Sequence, residues 1–311
     1  MDGGDRRRVV ATASYSRKSQ ASLCYATRRM AENFSTFTSK TLEWEDLGAA
    51  DVAPMYAELR RFAWRLGMSG TRFAVNGILK RRWWVRRAKM WEYARGLACL
   101  LAERTSPQRT QGNAEDREEK GITGSAQRGT EATKTAQQLS KLRVVDFGGG
   151  ATLPIFYLAE RGVEVLCLDV DAALAVWSNR VASARGWKLR ATTHDLTQIA
   201  ALAEWEAFDA VISFSVLEHI PTEMQELALA RLAGMLKPGG VMALTFDYGA
   251  EAAQPFAIKD EAAVARLLKA TGLEFMEPRG FVDTGERFVL DQRYKTRRFT
   301  FASLLLRKTE S

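Results

Sequence analysis

Two kinds of hydrophobic pattern alternate through the second half of the chain. Apolar, strand-like runs predict buried strands at residues 142–147, 163–169, 188–194, 208–214 and 240–246. Helical spacing lies between or after them, at about residues 153–161, 172–185, 197–204, 222–236 and 259–270. Fully apolar strands that alternate with helices indicate βαβ units. The predicted fold class is therefore α/β, with a doubly wound and mostly parallel sheet.

Two more strands are predicted near the carboxyl terminus. Residues 297–306 contain an apolar run, and a shorter run lies near residues 273–279. Such a pair would finish the sheet at an antiparallel edge, so that the sheet has seven strands and an antiparallel last strand.

The region before the first of these strands is predicted to be helical. Leu59, Phe62, Ala63 and Leu66 fall at i, i+3, i+4 and i+7, the spacing of one helix face. A second helical run is predicted for residues 72–103 and is rich in aromatic residues. Two or three helices cannot bury so many aromatic side chains alone, so we expect them to pack on the following domain.

Composition divides the chain into four segments. Residues 1–41 form a predicted disordered basic tail, although their Arg, Ser and Ala content is also typical of a transit peptide. Residues 42–103 form a helical cap on the substrate side, and residues 104–139, nearly free of large aliphatic side chains, a flexible linker or insertion. Residues 140–311 form the α/β domain.

The chain has 311 residues, with 46% hydrophobic and 26% charged residues, which excludes a wholly disordered or fibrous protein. Its apolar runs are too short for a transmembrane helix. Three separated cysteines without a CxxC pair exclude a disulfide framework or zinc ribbon and favour a reducing, cytoplasmic compartment. The net charge of +8 is uneven, with +10 in residues 1–140 and −2 in residues 141–311.

A glycine-rich turn carries the strongest chemical signal. Asp146 lies in the first strand, and Gly148, Gly149 and Gly150 follow it, which lets a ligand lie against the backbone. Asp169 ends the second strand, where a carboxylate can accept hydrogen bonds from both ribose hydroxyl groups of an adenosine-type ligand. Asp171 lies beyond the strand end and is predicted to be a helix N-cap.

Three further motifs follow later strands in order. They are His194-Asp195-Leu196, the run from Phe208 to Ile220 (FDAVISFSVLEHI), and Leu236 to Gly240 (LKPGG). Open α/β sheets bind ligands at the carboxyl ends of their strands. With DFGGGAT at residues 146–152 and LDVD at 168–171, the set resembles a class I (Rossmann-like) S-adenosylmethionine-dependent methyltransferase of the type 11/12 kind, over about residues 140–310.

The resemblance implies S-adenosylmethionine as the cofactor, and no metal. It implies that Asp146, Gly148, Gly149 and Gly150 hold the methionine part of the cofactor, and that Asp169, with Val170 beside it, binds the ribose. Asp195 and Leu196 would flank the adenine. Ser213, Phe214 and Ser215 would line the inner edge of the cofactor. One departure from the family pattern is Thr152, which stands where a third glycine is frequent.

Methyl transfer needs a general base only where the acceptor must lose a proton. His219, just past the fourth strand, is the candidate base, and the alternative is a structural histidine hydrogen-bonded near the sheet edge. Asp247 and Tyr248, after the fifth strand, are further candidates. Glu218 fits a loop or helix-cap position equally well.

Several acceptors are compatible with these motifs. The favoured hypothesis is a small molecule or biosynthetic intermediate, with the N-terminal helices forming a lid or wall over it. The Arg- and Trp-rich residues 58–95 favour RNA or DNA instead, because Arg contacts phosphates and aromatic rings stack on bases. Against nucleic acid, Phe214 to Leu217 lack the Asp/Asn-Pro-Pro-aromatic turn of exocyclic-amine methyltransferases, and Cys167 lies inside a strand. A protein or peptide substrate and a non-catalytic partner protein with the same fold are the remaining alternatives.

Overall fold

A computed structural model describes residues 38–49, 52–80, 84–105, 134, 136–194, 206–290 and 295–310. The helices are α1 (Ala53–Met68), α2 (Arg87–Thr105), α3 (Leu153–Glu160), α4 (Ala172–Arg185), α5 (Thr222–Met235) and α6 (Glu261–Thr271), with 3-10 helices at Trp44–Gly48 and Leu217–His219. The strands are β1 (Ser39–Thr41), β2 (Phe73–Val75), β3 (Ile78–Lys80), β4 (Arg143–Phe147), β5 (Glu164–Asp169), β6 (Leu189–Thr193), β7 (Phe208–Phe214), β8 (Leu236–Tyr248), β9 (Glu274–Phe275), β10 (Phe281–Val282) and β11 (Thr300–Arg307). None of the helices in these ranges has the length and apolar character to cross a membrane.

The main sheet is doubly wound, as the hydrophobic pattern predicted. Its strand order is β10-β1-β11-β8-β7-β4-β5-β6, and β9 pairs with β11. The strands from β8 to β6 are parallel, and β11 runs antiparallel to β8. The fold class is confirmed, but the sheet has nine strands instead of seven, because β1 and β10 extend it beyond β11.

Strand β1 lies inside residues 1–41, the range predicted to be a disordered tail. Lys40 pairs with Ser303 and Thr41 with Ala302 of β11. The guanidinium group of Arg95 donates to the Ser303 hydroxyl at 2.9 Å and to the carbonyl oxygen of Thr38. Three residues are too few to show a strand period, so only these long-range contacts define β1. Residues 1–37 lie outside the described residues.

The predicted helix over residues 72–103 begins only at Arg87. Before it, β2 and β3 form an antiparallel hairpin, with positive φ angles of 51° at Asn76 and 68° at Gly77. Asn-Gly is the strongest local signal for a two-residue hairpin turn, and the helical interpretation overlooked it. The predicted helix at residues 197–204 and most of the predicted linker lie outside the described residues.

The sheet separates two hydrophobic cores. Alternate side chains of each strand point to opposite faces, so Val144 joins one core and its neighbour Val145 the other. The first core contains residues of α1, α2, α3 and α4, including Phe62 and Trp91. The second contains residues of α5 and α6. The N-terminal helices therefore pack on the sheet as one body with the α/β domain.

Candidate active site

The glycine-rich turn after β4 brings the backbone against two buried carboxyl groups. A Cβ atom on Gly149 would lie 2.2 Å from Oδ1 of Asp146, and one on Gly150 would lie 2.6 Å from Oδ2 of Asp169. Neither position has room for a side chain. Glycine is therefore required at both because the carboxyl groups lie directly against the turn.

Asp169 is at the end of β5, and backbone N–H groups fix its carboxylate. Oδ2 accepts from the N–H of Gly150 at 2.7 Å, and Oδ1 accepts from the N–H of Asp171 at 2.8 Å. A carboxylate oxygen can accept two hydrogen bonds, so each retains capacity for one ligand hydroxyl group. This geometry suits the ribose of an adenosine-type ligand.

Asp146 lies behind the same turn and is almost fully buried. Its pKa is raised to about 7, because burial and the nearby charge of Asp169 together outweigh the opposing effect of the Cys167 thiol, which donates to Oδ1 at 3.4 Å. Two desolvated carboxyl groups beside one turn favour a ligand with positive charge. S-adenosylmethionine carries a sulfonium and an ammonium group, so the residues present fit this cofactor.

The three predicted residues at the end of β7 point in different directions. Ser213 donates its hydroxyl to the carbonyl oxygen of Phe147 at 3.0 Å, which ties β7 to β4. The ring of Phe214 packs on Tyr93 of α2, with centroids 5.8 Å apart. Ser215 has a positive φ of 55°, and its hydroxyl donates to Oε2 of Glu92.

The remaining predicted cofactor contacts lie around β5 and β6. Val170 follows Asp169 and is 71% exposed, so its side chain is accessible to a ligand at this edge. Asp195 and Leu196 lie outside the described residues. Asp171 caps α4 by accepting from the N–H groups of Ala173 and Leu174, which confirms its predicted structural role.

The structure also brings in residues that the sequence analysis did not assign to the site. Glu92 of α2 is fully buried, and its Oε2 accepts from Thr245 Oγ1 at 2.6 Å as well as from Ser215. The Nζ atom of Lys89 lies 3.3 Å from Oε1 of Glu92. One α2 carboxylate thus contacts the ends of both β7 and β8. Glu92 is one of only two acids in residues 58–95, and this isolation among cations was the sequence feature that could have identified it.

His219 ends the 3-10 helix after β7 and reaches solvent. Partial burial of the ring and the charge of Lys89 lower the pKa of His219, so the neutral imidazole predominates at neutral pH. A neutral ring can accept a proton. The candidate base therefore lies shortly after the end of β7 and carries a neutral ring.

The start of the β2–β3 hairpin contacts the glycine-rich turn and α4. The N–H of Ala74 in β2 donates to the carbonyl oxygen of Ala151 at 2.7 Å, and the Trp177 indole of α4 donates to the carbonyl oxygen of Arg72 at 3.0 Å. Residues 72–74 thus connect the glycine-rich turn to α4.

Residues 145–244 match the family described as "Methyltransferase domain". The match covers 100 of the 311 residues of the chain. The matched residues span the glycine-rich turn, Asp169, β7, and β8 as far as Leu244. The prediction of an S-adenosylmethionine-dependent methyltransferase domain is confirmed over these residues.

A curated relative of the methyltransferase domain is the tRNA 5-carboxymethoxyuridine methyltransferase of Escherichia coli strain K12. The two are 32% identical over 107 residues, which cover 34% of this chain and 40% of that protein. The protein of the same name from Escherichia coli O157:H7 matches equally. The chain therefore matches about two fifths of the length of these relatives.

Two solved structures match the chain at low sequence identity. The geranyl diphosphate C-methyltransferase of Streptomyces coelicolor A3(2) has a TM-score of 0.43 at 13% identity and covers 64% of this chain and 89% of its own. The magnesium protoporphyrin IX methyltransferase of Synechocystis PCC 6803 has a TM-score of 0.40 at 19% identity and covers 62% of this chain and 87% of its own.

Proposed function

We propose that the chain transfers the methyl group of S-adenosylmethionine to a small-molecule acceptor, held between α2 and the carboxyl ends of β7 and β8. One observation carries this proposal. The Glu92 carboxylate accepts hydrogen bonds from Ser215 after β7 and Thr245 of β8, so α2 lies over both strand ends. A helix in this position forms a wall beside the reacting methyl group.

In this proposal the glycine-rich turn and Asp169 hold the cofactor. Asp169 accepts from the ribose hydroxyl groups, and Asp146 faces the charged methionine side. Val170, Asp195 and Leu196 are the proposed neighbours of the adenosine, with Ser213, Phe214 and Ser215 at the inner edge. The bound cofactor supplies a methyl group activated by its sulfonium sulfur, and the protein aligns the acceptor and excludes water.

His219 is the proposed proton acceptor for substrates whose attacking atom must lose a proton. Its lowered pKa keeps the ring neutral near pH 7. Its position after β7 lies on the side of the cofactor where the acceptor would bind, and its exposure lets the accepted proton leave to solvent.

Part of the basic charge of the N-terminal segment is used in contacts within the protein. Arg65 forms an ion pair with Glu160 at 2.7 Å, and Arg61 one with Glu58 at 2.8 Å. The buried guanidinium of Arg95 binds Ser303. These cations stabilise the packing of α1 and α2, so their role does not require a nucleic-acid phosphate.

The test uses S-adenosylmethionine with a radiolabelled methyl group and offers the enzyme two acceptor pools. One pool is a cell extract filtered to retain only small molecules, and the other is total tRNA. We expect label in the small-molecule pool and its absence with the Asp169→Ala variant. Label in tRNA alone would contradict the proposed acceptor. Calorimetry with unlabelled cofactor runs in parallel, and absence of binding would contradict the proposed enzyme and favour a non-catalytic protein.

A tRNA acceptor is the second candidate, because the curated relatives are tRNA methyltransferases. Solvent-exposed Arg60 and the half-exposed indole of Trp64, one turn apart on α1, offer a cation and a stacking surface. A salt titration of tRNA binding tests it. Steep loss of affinity with salt, and its weakening in an Arg60→Ala/Trp64→Ala variant, would favour this candidate.

A further inference from the structure

A groove of about 780 Å³ lies on the segment between β10 and β11, where residues 285–290 and Arg298 line it. Its volume falls within the range of about 300–1,000 Å³ that is typical of small-molecule sites. The side chains of Phe288 and Leu290 are half-buried against the first hydrophobic core, and Val289 is 38% exposed. The groove therefore has an apolar surface that a ligand can reach.

Backbone contacts place this groove at the carboxyl edge of the sheet. The N–H of Phe288 donates to the carbonyl oxygen of Phe299 at 2.8 Å, and the N–H of Phe299 donates back at 3.1 Å, directly before β11 begins. Because β11 runs antiparallel to β8, its first residue pairs with Tyr248, the last residue of β8. Cζ of Arg287 lies 5.2 Å from the centroid of the Tyr248 ring. The groove therefore borders a strand end at which the acceptor is proposed to bind.

The start of α2 also reaches the groove. Arg86 directly precedes α2, and its Nη1 atom donates to the carbonyl oxygen of Leu290 at 3.2 Å. Arg298 binds the opposite end of the same segment, because its Nη2 atom donates to the carbonyl oxygen of Arg287 at 3.1 Å. Two guanidinium groups thus flank residues 287–290.

Most N–H donors of these two guanidinium groups are unused. A guanidinium group has five N–H donors, and the side chains of Arg86 and Arg298 each donate to one carbonyl oxygen. Neither side chain forms an ion pair with a carboxylate in the described part of the chain. The surrounding sequence is basic as well, since residues 285–298 contain five Lys or Arg and two Asp or Glu. The unused donors favour a ligand with anionic oxygen atoms.

The carboxylates near the groove are already engaged within the protein. Asp283 forms an ion pair with Arg287 at 2.6 Å. Glu251 accepts from the backbone N–H of Arg298 at 2.8 Å. Glu286, the acid in the groove lining, has an interaction of its own within the protein. Free hydrogen-bonding capacity at the groove therefore belongs mainly to the guanidinium groups.

We propose that this groove binds the non-reacting part of the acceptor, which consists of an apolar group and a carboxylate or phosphate group. The apolar group packs on Phe288, Val289 and Leu290. The anionic oxygen atoms accept from Arg86 and Arg298, because charge-assisted hydrogen bonds from guanidinium groups to carboxylates and phosphates are strong. This inference rests on the proposed function, since it assigns the groove to the acceptor of the methyl transfer.

The experiment uses the full chain saturated with S-adenosylhomocysteine and four probes that share one ring. Benzoate and phenyl phosphate are anionic at neutral pH, benzyl alcohol is neutral and benzylamine is cationic. Binding is measured from the broadening of the NMR signals of each probe. We expect benzoate or phenyl phosphate to bind at least about tenfold more tightly than the neutral and cationic probes, and the tighter anion identifies the anionic group. Equal affinities, no binding of any probe, or tightest binding of benzylamine would overturn the proposal.

Anions without a ring test the apolar part of the groove. Acetate and inorganic phosphate carry the two anionic groups alone. We expect each to bind at least about tenfold more weakly than its ring-bearing counterpart, because the ring buries apolar surface. Equal affinity with and without the ring would contradict the proposed apolar contact.

Two variants locate the effect. Arg86→Gln and Arg298→Gln remove the charge and keep an N–H donor, and we expect each to weaken binding of the tighter anion about fivefold with little change for benzyl alcohol. The control is Arg279→Gln, because Arg279 is exposed between β9 and β10 and lies outside the groove lining. Thermal unfolding shows that each variant is folded. Unchanged anion affinity in both folded groove variants would contradict the assignment.

Competition connects the groove to the acceptor. In the radiolabel assay with the small-molecule pool, we expect the tighter anion to inhibit labelling by the wild-type chain. The same concentration is expected to inhibit the Arg298→Gln variant less. Labelling that is unaffected at a saturating concentration of the anion would mean that the groove does not serve the acceptor.

Binding of S-adenosylhomocysteine is measured first and separates the two proposals. If it fails to bind the wild-type chain, the proposed methyltransferase function is wrong, and the acceptor groove with it. If it binds while the ring-bearing probes show no preference for anions, only the assignment of the groove is wrong.

Discussion

The backbone N–H of Ala74 donates a 2.7 Å hydrogen bond to the carbonyl oxygen of Ala151. Ala74 lies in the N-terminal hairpin, and Ala151 ends the glycine-rich turn with a positive φ of 58°. The N–H of Ala151 in turn donates to the Ser178 hydroxyl at 2.8 Å. The turn that is proposed to hold the cofactor is therefore held on both sides by residues that lie far from it in sequence.

Removing the Ala74 N–H is expected to loosen this turn. In the Ala74→Pro variant the carbonyl of Ala151 loses its hydrogen-bond donor, which lowers the free energy of unfolding by about 1–3 kcal/mol for a buried group. We expect a lower melting temperature and weaker S-adenosylmethionine binding by calorimetry. Ala74→Gly keeps the N–H and is the control. Equal loss of cofactor affinity in both variants would mean that the hydrogen bond is not responsible.

Asp169 and Asp171 offer a matched pair of neighbouring acids. We expect Asp169→Ala to weaken S-adenosylmethionine binding about a hundredfold, because two charge-assisted hydrogen bonds to the ribose are lost. Asp171→Ala removes only the cap of α4 and is expected to reduce stability by about 1 kcal/mol with little change in affinity. Near-wild-type affinity of Asp169→Ala would contradict the proposed cofactor site.

The titration of Asp146 makes stability depend on pH. Its pKa is about 7 in the folded chain against an ordinary value of 3.8, so above pH 4 the unfolded chain releases this proton first. The unfolded state then binds fewer protons, and the free energy of unfolding falls as pH rises from about 4 to about 7.

The Asp146→Asn variant is expected to flatten this fall in chemical denaturation without cofactor, and to bind S-adenosylmethionine more weakly. Asp260→Asn is the control, because Asp260 caps α6 and asparagine caps a helix equally well. A pH dependence that is identical in wild type and Asp146→Asn would contradict the assignment to Asp146.

Gly96 sets the distance between α2 and β7. A Cβ atom there would lie 2.3 Å from Cε1 of Phe214. Glycine to alanine normally stabilises a helix by about 1 kcal/mol. Here we expect Gly96→Ala to destabilise the chain by about 1–3 kcal/mol, because the added methyl group overpacks the interface.

A double variant tests the cause of that loss. Gly96→Ala/Phe214→Leu creates room beside the added methyl group, and we expect its melting temperature to recover relative to the sum of the two single changes. If the destabilisation of the double variant equals the sum for the two single variants, the contact between Gly96 and Phe214 does not limit the packing of α2.

Local pattern was sufficient to predict much of the α/β domain. The helix predicted at residues 172–185 and the strand predicted at 208–214 have the observed bounds. The strand is buried in a regular sheet and the helix on one face, so the spacing of their hydrophobic residues follows the period of the secondary structure. The same pattern failed at β2 and β3, where three-residue strands are too short to repeat.

The amino-acid sequence by itself determined the parallel core, the glycine-rich turn and the position of Asp169 at the end of β5, because each depends on residues close in sequence. Tertiary structure alone decided the proposed acceptor side. Ser215 and Glu92 are separated by 123 positions and Thr245 and Glu92 by 153, yet all three share one hydrogen-bonded cluster. Such contacts leave no periodic trace, since they depend on how α2 packs across the sheet.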